Sequence, residues 1–437
     1  MLNRSQACAA LIAFTSVAFA QEASTPVADT KAQNDGAATS GTQASNVVSA
    51  DSGQKPDTDE SDGFKLPGGM GYTPLNFTPG QGIYDRKPVS FSTTAQQGYD
   101  DNTDSSHTNK KGSSVTNLSE GVEVLLAQSR FALSLDASLG GQYYWNRSGD
   151  QLTPTAGLSL VFGYKLTPRA QLSGVVNGTY TNQPTNTVVN GAVQSNGRGY
   201  FLLNSKFDLL YRWAPRVSTD TAYSISGIYY KDPGQNGGDS TTQTVGQSVR
   251  YDFSHLLTGV FEGRASQVQY NSTTSNANIY YLLVGGDLML SRRLTASSRI
   301  GATLRDQDSS NSSTPYAEGS LNYALSRISQ IGVNFRYGYN DNGSTGQQST
   351  TSTRAGVVYS QVLATHLRGT LGLNMNYNES SDTTPRDTTI SGAAGVQYDV
   401  SKDLTVFANY NNIRDISSSS SQEYTKNVYY VGATYSY

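Results

Sequence analysis

The sequence predicts an all-β protein, a transmembrane antiparallel up-and-down β-barrel of about 18 strands preceded by a disordered N-terminal segment. Three observations predict it. Segments of about 10 to 15 residues alternate apolar and polar side chains with a period of two, short turns and long polar loops take turns between them, and aromatic residues of the apolar parity gather at both ends of the segments.

Composition agrees with that class. The 437 residues include 43 Gly and 29 Tyr, and only 15% are charged, below the roughly one quarter usual for soluble domains. A mean hydropathy of −0.46 and the lack of any apolar run of about 20 residues exclude a bundle of membrane helices.

The first element, residues 1–20, reads as an export signal. Arg4 supplies a positive start, Ala7 to Phe19 a short apolar stretch, and Ala18-Phe19-Ala20 an A-x-A cleavage site. Cys8, the single cysteine, leaves with it, so no disulfide or thiolate metal site is expected. Residues 21–63 are low-complexity, with eight acidic residues against two basic and almost nothing apolar to offset the entropy of ordering. They form a disordered acidic tail. Residues 64–88 contain Pro67, Pro74, Pro79 and Pro88 among glycines and read as a periplasmic linker. From Phe64 to the end the chain holds 28 basic and 26 acidic residues, so the folded body is near neutral.

From Val89 to Tyr437 the sequence counts out its strands. Short turns occur at Gln128-Ser129-Arg130, Thr167-Pro168-Arg169, Ala214-Pro215-Arg216, Ser254-His255, Ser291-Arg292-Arg293, Ser326-Arg327, Gln361 to Thr365 and Ser401-Lys402-Asp403. Polar loops lie at 101–113, 147–152, 182–198, 231–241, 272–277, 306–313, 340–349, 379–387 and 414–424. Eight turns and nine loops join 18 strands and put both chain ends on the short-turn side. Phe131, Leu133, Leu135, Ala137, Leu139 and Tyr143 share one face of the third strand, with Ser134, Asp136, Ser138 and Gln142 on the other. Strands of this length suit a tilted bilayer crossing.

On the apolar parity, Tyr164, Tyr211, Trp213, Tyr251, Phe253, Tyr323, Tyr398 and Tyr435 cluster near the short turns, and Tyr143, Trp145, Phe201, Tyr229, Tyr280 and Tyr377 near the long loops. Two such girdles around an aliphatic band are what a membrane barrel presents to lipid. The chain ends with Tyr429, Val431, Ala433, Tyr435 and Tyr437 on one face, the pattern of a terminal signal for the bacterial barrel-assembly machinery. Two residues resist the pattern. Glu120 and Gln247 fall on the lipid parity, and a bulge or a one-residue register shift is the expected repair.

Gly98-Tyr99-Asp100-Asp101-Asn102 after the first strand, the L-S/T-x-R turns, and an ending in which Ser418 to Ser421 and Tyr424 precede Asn427 to Tyr437 resemble the putative β-barrel porin 2 family over residues 89–437. The resemblance implies an outer-membrane channel of a Gram-negative cell, with some members linked to exopolysaccharide export.

A ring of 18 tilted strands is on the order of 35–40 Å across, too wide for side chains to fill. Counted from the short turns, Glu262, Arg264, Arg299, Glu318, Arg336 and Arg354 fall near mid-height on the lumen parity. They read either as a charged constriction favouring anionic or hydroxyl-rich solutes, or as ion pairs that stiffen a wet wall. Val188 to Val193 reads as a small hairpin around Asn190-Gly191.

Other chemistries find little support. His107, His255 and His366 are too scattered for a catalytic site, and no enzyme, cofactor, phosphate loop or nucleic-acid surface is expected. Asp100, Asp101 and Asp104 read as turn formers before they read as calcium ligands, so no metal is expected either. The expected function is a porin-like channel for small polar or anionic solutes, in contact with outer-membrane lipid and the assembly machinery. The alternatives are a polysaccharide conduit and a closed barrel serving as a surface anchor or adhesion platform. Nothing in the sequence sets an oligomeric state.

Overall fold

The computed structural model describes residues 88–147, 151–181, 187–189, 192–194, 199–231, 239–270, 276–291, 293–307, 310–340, 350–380, 387–417 and 423–437. The signal, tail and linker expected over 1–88 lie outside these residues apart from Pro88. The first half of the chain gives β1 (Val89–Asp100), β2 (Ser113–Ala127), β3 (Phe131–Tyr144), β4 (Leu152–Thr167), β5 (Ala170–Thr181), β6 (Thr187–Val189), β7 (Ala192–Gln194), β8 (Tyr200–Ala214), β9 (Val217–Tyr230) and β10 (Ser240–Asp252). The second half gives β11 (Leu257–Tyr270), β12 (Ala277–Ser291), β13 (Leu294–Gln307), β14 (Ser310–Ser326), β15 (Ser329–Asn340), β16 (Thr350–Ala364), β17 (Leu367–Ser380), β18 (Asp387–Asp399), β19 (Leu404–Ser417) and β20 (Tyr424–Ser436).

Eighteen of these strands form one antiparallel sheet in which each pairs with its chain neighbours, and β1 pairs with β20 from Ser92↔Ser436 to Asp100↔Val428. The sheet is therefore a closed barrel with no free edge. The remaining two strands, β6 and β7, form the separate ribbon expected in the long loop, with Val189 paired to Ala192.

The side chains are arranged inside out. Leu139, Phe261, Ile300, Leu371 and Val431 stand exposed on the outer face, while Gln96, Asn117, Ser173, Arg299, Thr303 and Asn376 are buried on the inner one. An apolar exterior and a polar interior suit lipid outside and water within. The aromatic pairs Tyr211–Trp213, Tyr251–Phe253 and Tyr143–Trp145 sit two residues apart on the outer face, with ring centroids 4.5, 4.9 and 5.2 Å apart. The inner face is not uniformly polar. At the long-loop ends of the strands it carries three small apolar clusters, Val115 with Tyr144, Val428 and Tyr430, Tyr200 with Ile228 and Tyr230, and Val268 with Ala277 and Ile279.

Five of the eight short turns share one device, which explains the Ser or Thr that they carry. Thr167 Oγ1 accepts from the backbone N–H of Arg169 and Ala170, and Ser254, Ser291, Ser326 and Ser401 accept from the N–H two residues on. The hydroxyl thus satisfies donors that the tight reversal leaves without a ladder partner. Ladder irregularities gather at the same end, among them Lys165/Thr167, Met289/Ser291 and Ala324/Ser326.

Two expectations are corrected. The loop at 306–313 is mostly ladder, since Asp306 pairs with Asn311 and Gln307 with Ser310, because the β13–β14 hairpin continues outward beyond its apolar stretch. Glu120 and Gln247 are repaired by neither bulge nor register shift: β1–β2 and β9–β10 pair without interruption, and both side chains stay on the outer face. Each is instead partnered there. Thr93 Oγ1 donates to Glu120 at 2.8 Å, and Thr221 Oγ1 donates to Gln247 at 2.6 Å.

Candidate functional site

The inner wall between β10 and β16 carries a connected set of charged side chains. Ladder register sets four of these charges side by side on successive strands, Arg299 opposite Glu318, Glu318 opposite Arg336, and Arg336 opposite Arg354. Because the four strands present these positions at one level, the side chains form a row around the wall rather than a column along it.

Tyr316 organises the row. Its ring lies on the inner face over Gly338, where an added Cβ would come within 2.5 Å of the ring, and only 2% of its surface is exposed. Arg264 and Arg336 approach the ring with guanidinium carbons 6.0 and 5.6 Å from its centroid. The Tyr316 hydroxyl donates to Glu318 Oε2 at 2.5 Å. Arg264 then joins two carboxylates, with Nε to Glu262 at 2.5 Å and Nη2 to Glu318 at 2.7 Å.

Arg299 extends the same network. It meets Asp287 at 2.9 Å and Glu262 at 3.8 Å, and its Nη1 donates to the carbonyls of Gly286 and Ser298. Arg250 closes the chain on the other oxygen of Asp287. Arg354 Nε donates to Ser352 Oγ at 3.3 Å.

All six residues singled out in the sequence are therefore on the inner wall and in one neighbourhood. Four of them, Glu262, Arg264, Arg299 and Glu318, are tied into ion pairs, which is the wall-stiffening reading. Arg336 and Arg354 sit at the end of the row as adjacent cations, and the six together carry four positive and two negative charges. Sequence reasoning missed Tyr316, Asp287 and Arg250, whose lumen parity was legible but whose convergence across up to four strands was not. The terminal residues Tyr429, Val431, Tyr435 and Tyr437 lie exposed on the outer face, on the parity of Ala433.

The second half of this wall is also where a known family is recognisable. Residues 300–437 match the family model of Putative beta-barrel porin 2. The porin match takes in β14 to β20 entire, and with them Glu318, Arg336, Arg354 and the closing strand. No curated protein matches the chain. Among solved structures, the barrel is similar to the ferric enterobactin receptor PfeA of Pseudomonas aeruginosa, at 9% identity and a TM-score of 0.44 over 80% of each chain. It is also similar to OccAB4 of Acinetobacter baumannii, at 11% identity and a TM-score of 0.42 over 82% of this chain and 100% of that one. OpdK of Pseudomonas aeruginosa, solved with vanillate, gives 10% identity and a TM-score of 0.42 over 80% and 99%. Identities this low carry no substrate from those proteins to this chain. A closed 18-stranded barrel with an apolar exterior is an outer-membrane architecture.

Proposed function

We propose that the protein is an outer-membrane channel through which small polar solutes, anionic ones by preference, diffuse along a hydrated lumen. The observation that carries this reading is the side-by-side placement of Arg336 and Arg354 on the inner-wall row, in a group of six residues that holds four arginines and two glutamates. Guanidinium groups keep their charge and offer forked donors, so they filter by sign and retain carboxylate or phosphate briefly without trapping it. Tyr316 and the Glu262–Arg264–Glu318 pairs hold the wall in shape behind them.

In the same reading the N-terminal segment lies in the periplasm, on the side of the short turns, and Tyr429, Val431, Ala433, Tyr435 and Tyr437 form the signal that the assembly machinery takes up. Single-channel recording of the refolded, signal-free chain in a planar bilayer tests it. Steady conductance with a reversal potential on the anion side, moving toward zero in the Arg336→Ala/Arg354→Ala double variant, is expected. Silence from well-folded protein overturns the channel.

A further inference from the structure

Away from the arginine row, three side chains of the inner wall each keep a buried oxygen without a hydrogen-bond partner. Asp208 on β8, Asp220 on β9 and Ser248 on β10 keep only 2%, 4% and 6% of their surface exposed. Asp220 stands directly opposite Ser248 in the β9–β10 ladder and diagonally from Asp208, whose own partner is Ala222. Diagonal neighbours on one sheet face are within reach of each other's side chains.

Asp208 Oδ1 meets the Lys206 ammonium at 2.9 Å. By contrast Asp208 Oδ2, Asp220 Oδ1 and Ser248 Oγ have no hydrogen-bond partner. Buried polar atoms are almost always satisfied, and an unsatisfied cluster marks the place of a missing occupant. The two carboxylate oxygens can only accept and the Ser248 hydroxyl can accept as well, so a cation satisfies all three atoms at once.

The surrounding charges agree. Lys206, Arg250 and Glu262 are the other charged neighbours of Asp220. Lys206 is spent on Asp208, Arg250 on Asp287 and Glu262 on Arg264, which leaves the Asp220 carboxylate as local excess. The free oxygens are closed to solvent, so a transported solute does not fit among them whereas a bare ion does.

We propose that Asp208, Asp220 and Ser248 form a site in the barrel wall for a hard divalent cation of the calcium type. Two carboxylates and a hydroxyl supply the oxygen ligands such an ion selects. The site is not an acidic cluster of the usual kind: among the described residues no group of three or more His, Cys, Asp or Glu is placed to hold a metal ion, and here a hydroxyl takes the third position. It also lies far in sequence from the aspartates first weighed for calcium, whose partners are Lys426 for Asp100, Asn427 for Asp101 and Arg147 for Asp104.

Calorimetric titration of the EDTA-treated full chain in detergent micelles with calcium chloride, alongside thermal unfolding with and without the ion, is the test. One bound equivalent and a raised unfolding temperature are expected. Asp220→Asn weakens binding by about tenfold or more and Ser248→Ala by severalfold, with the β-sheet circular dichroism unchanged. Absence of binding by the native chain overturns the site, as does binding that both variants retain, which would belong to the loops. If Asp220→Asn does not fold, unchanged affinity in Ser248→Ala is enough to overturn it.

Discussion

Asp100 and Lys426 meet at 2.8 Å with 2% of each side chain exposed, across the seam where the first strand of the barrel joins the last. The contacts beside them belong to the same clasp. Asn427 donates its backbone N–H and its side-chain amide to the two carboxylate oxygens of Asp101, at 2.7 and 2.6 Å, and Asn102 Nδ2 donates to the Thr425 carbonyl at 3.0 Å. The Asp-Asp-Asn run after the first strand thus fastens the long-loop end of the closure.

Removing one partner of that buried pair strands the other. Lys426→Met is expected to cost about 3–5 kcal/mol, and adding Asp100→Asn to it to restore part of the loss, because a lone buried carboxylate is worse than a neutral pair. Denaturant unfolding in micelles, followed by the mobility difference between folded and unfolded barrel on a gel, measures both.

Gly338 leaves room for the Tyr316 ring. Gly338→Ala is expected to push the ring away and destabilise the barrel by about 1–3 kcal/mol, as overpacking does. Because Tyr316 carries the Glu318 hydrogen bond, noisier single-channel current in Gly338→Ala than in Gly332→Ala is the distinguishing readout. At Gly332 the nearest group is the Asn322 side chain, at 3.3 Å.

The hydroxyl of Thr167 serves two backbone donors at its turn. Thr167→Ala is expected to lower stability by about 1 kcal/mol and Thr167→Ser to leave it nearly unchanged, by the worth of a typical hydrogen bond. Equal losses in the two variants, measured by denaturant midpoint, would show that the methyl group rather than the hydroxyl matters.

Glu120 points to lipid at the middle of β2 with Thr93 as its partner. Glu120→Leu is expected to stabilise the barrel in lipid vesicles by about 1 kcal/mol, since a carboxylate on the lipid face is costly even when hydrogen-bonded. A loss of stability instead would mean that the Thr93–Glu120 pair outweighs the desolvation of the charge.

The sequence by itself determined the architecture. Alternation decides which side chains face lipid, turn and loop chemistry decides where strands end, and 17 connections require 18 strands; these are local properties, readable within about a dozen residues of any position. It also determined that Glu262, Arg264, Arg299, Glu318, Arg336 and Arg354 share the inner parity at similar height.

Only the tertiary structure decided how those charges are spent. Whether Arg264 serves Glu262 on its own strand or Glu318 three strands away depends on inter-strand register and on the curvature that brings β11 toward β14, and neither is encoded locally. Nor did the sequence foretell that Glu120 would keep its lipid parity without a bulge or register shift, because uninterrupted ladder bonds on both sides of β2 outweigh the cost of one exposed carboxylate there. The same holds for Asp208, Asp220 and Ser248, which look like ordinary lumen residues until the register of β8, β9 and β10 makes them neighbours and the fold buries their oxygens.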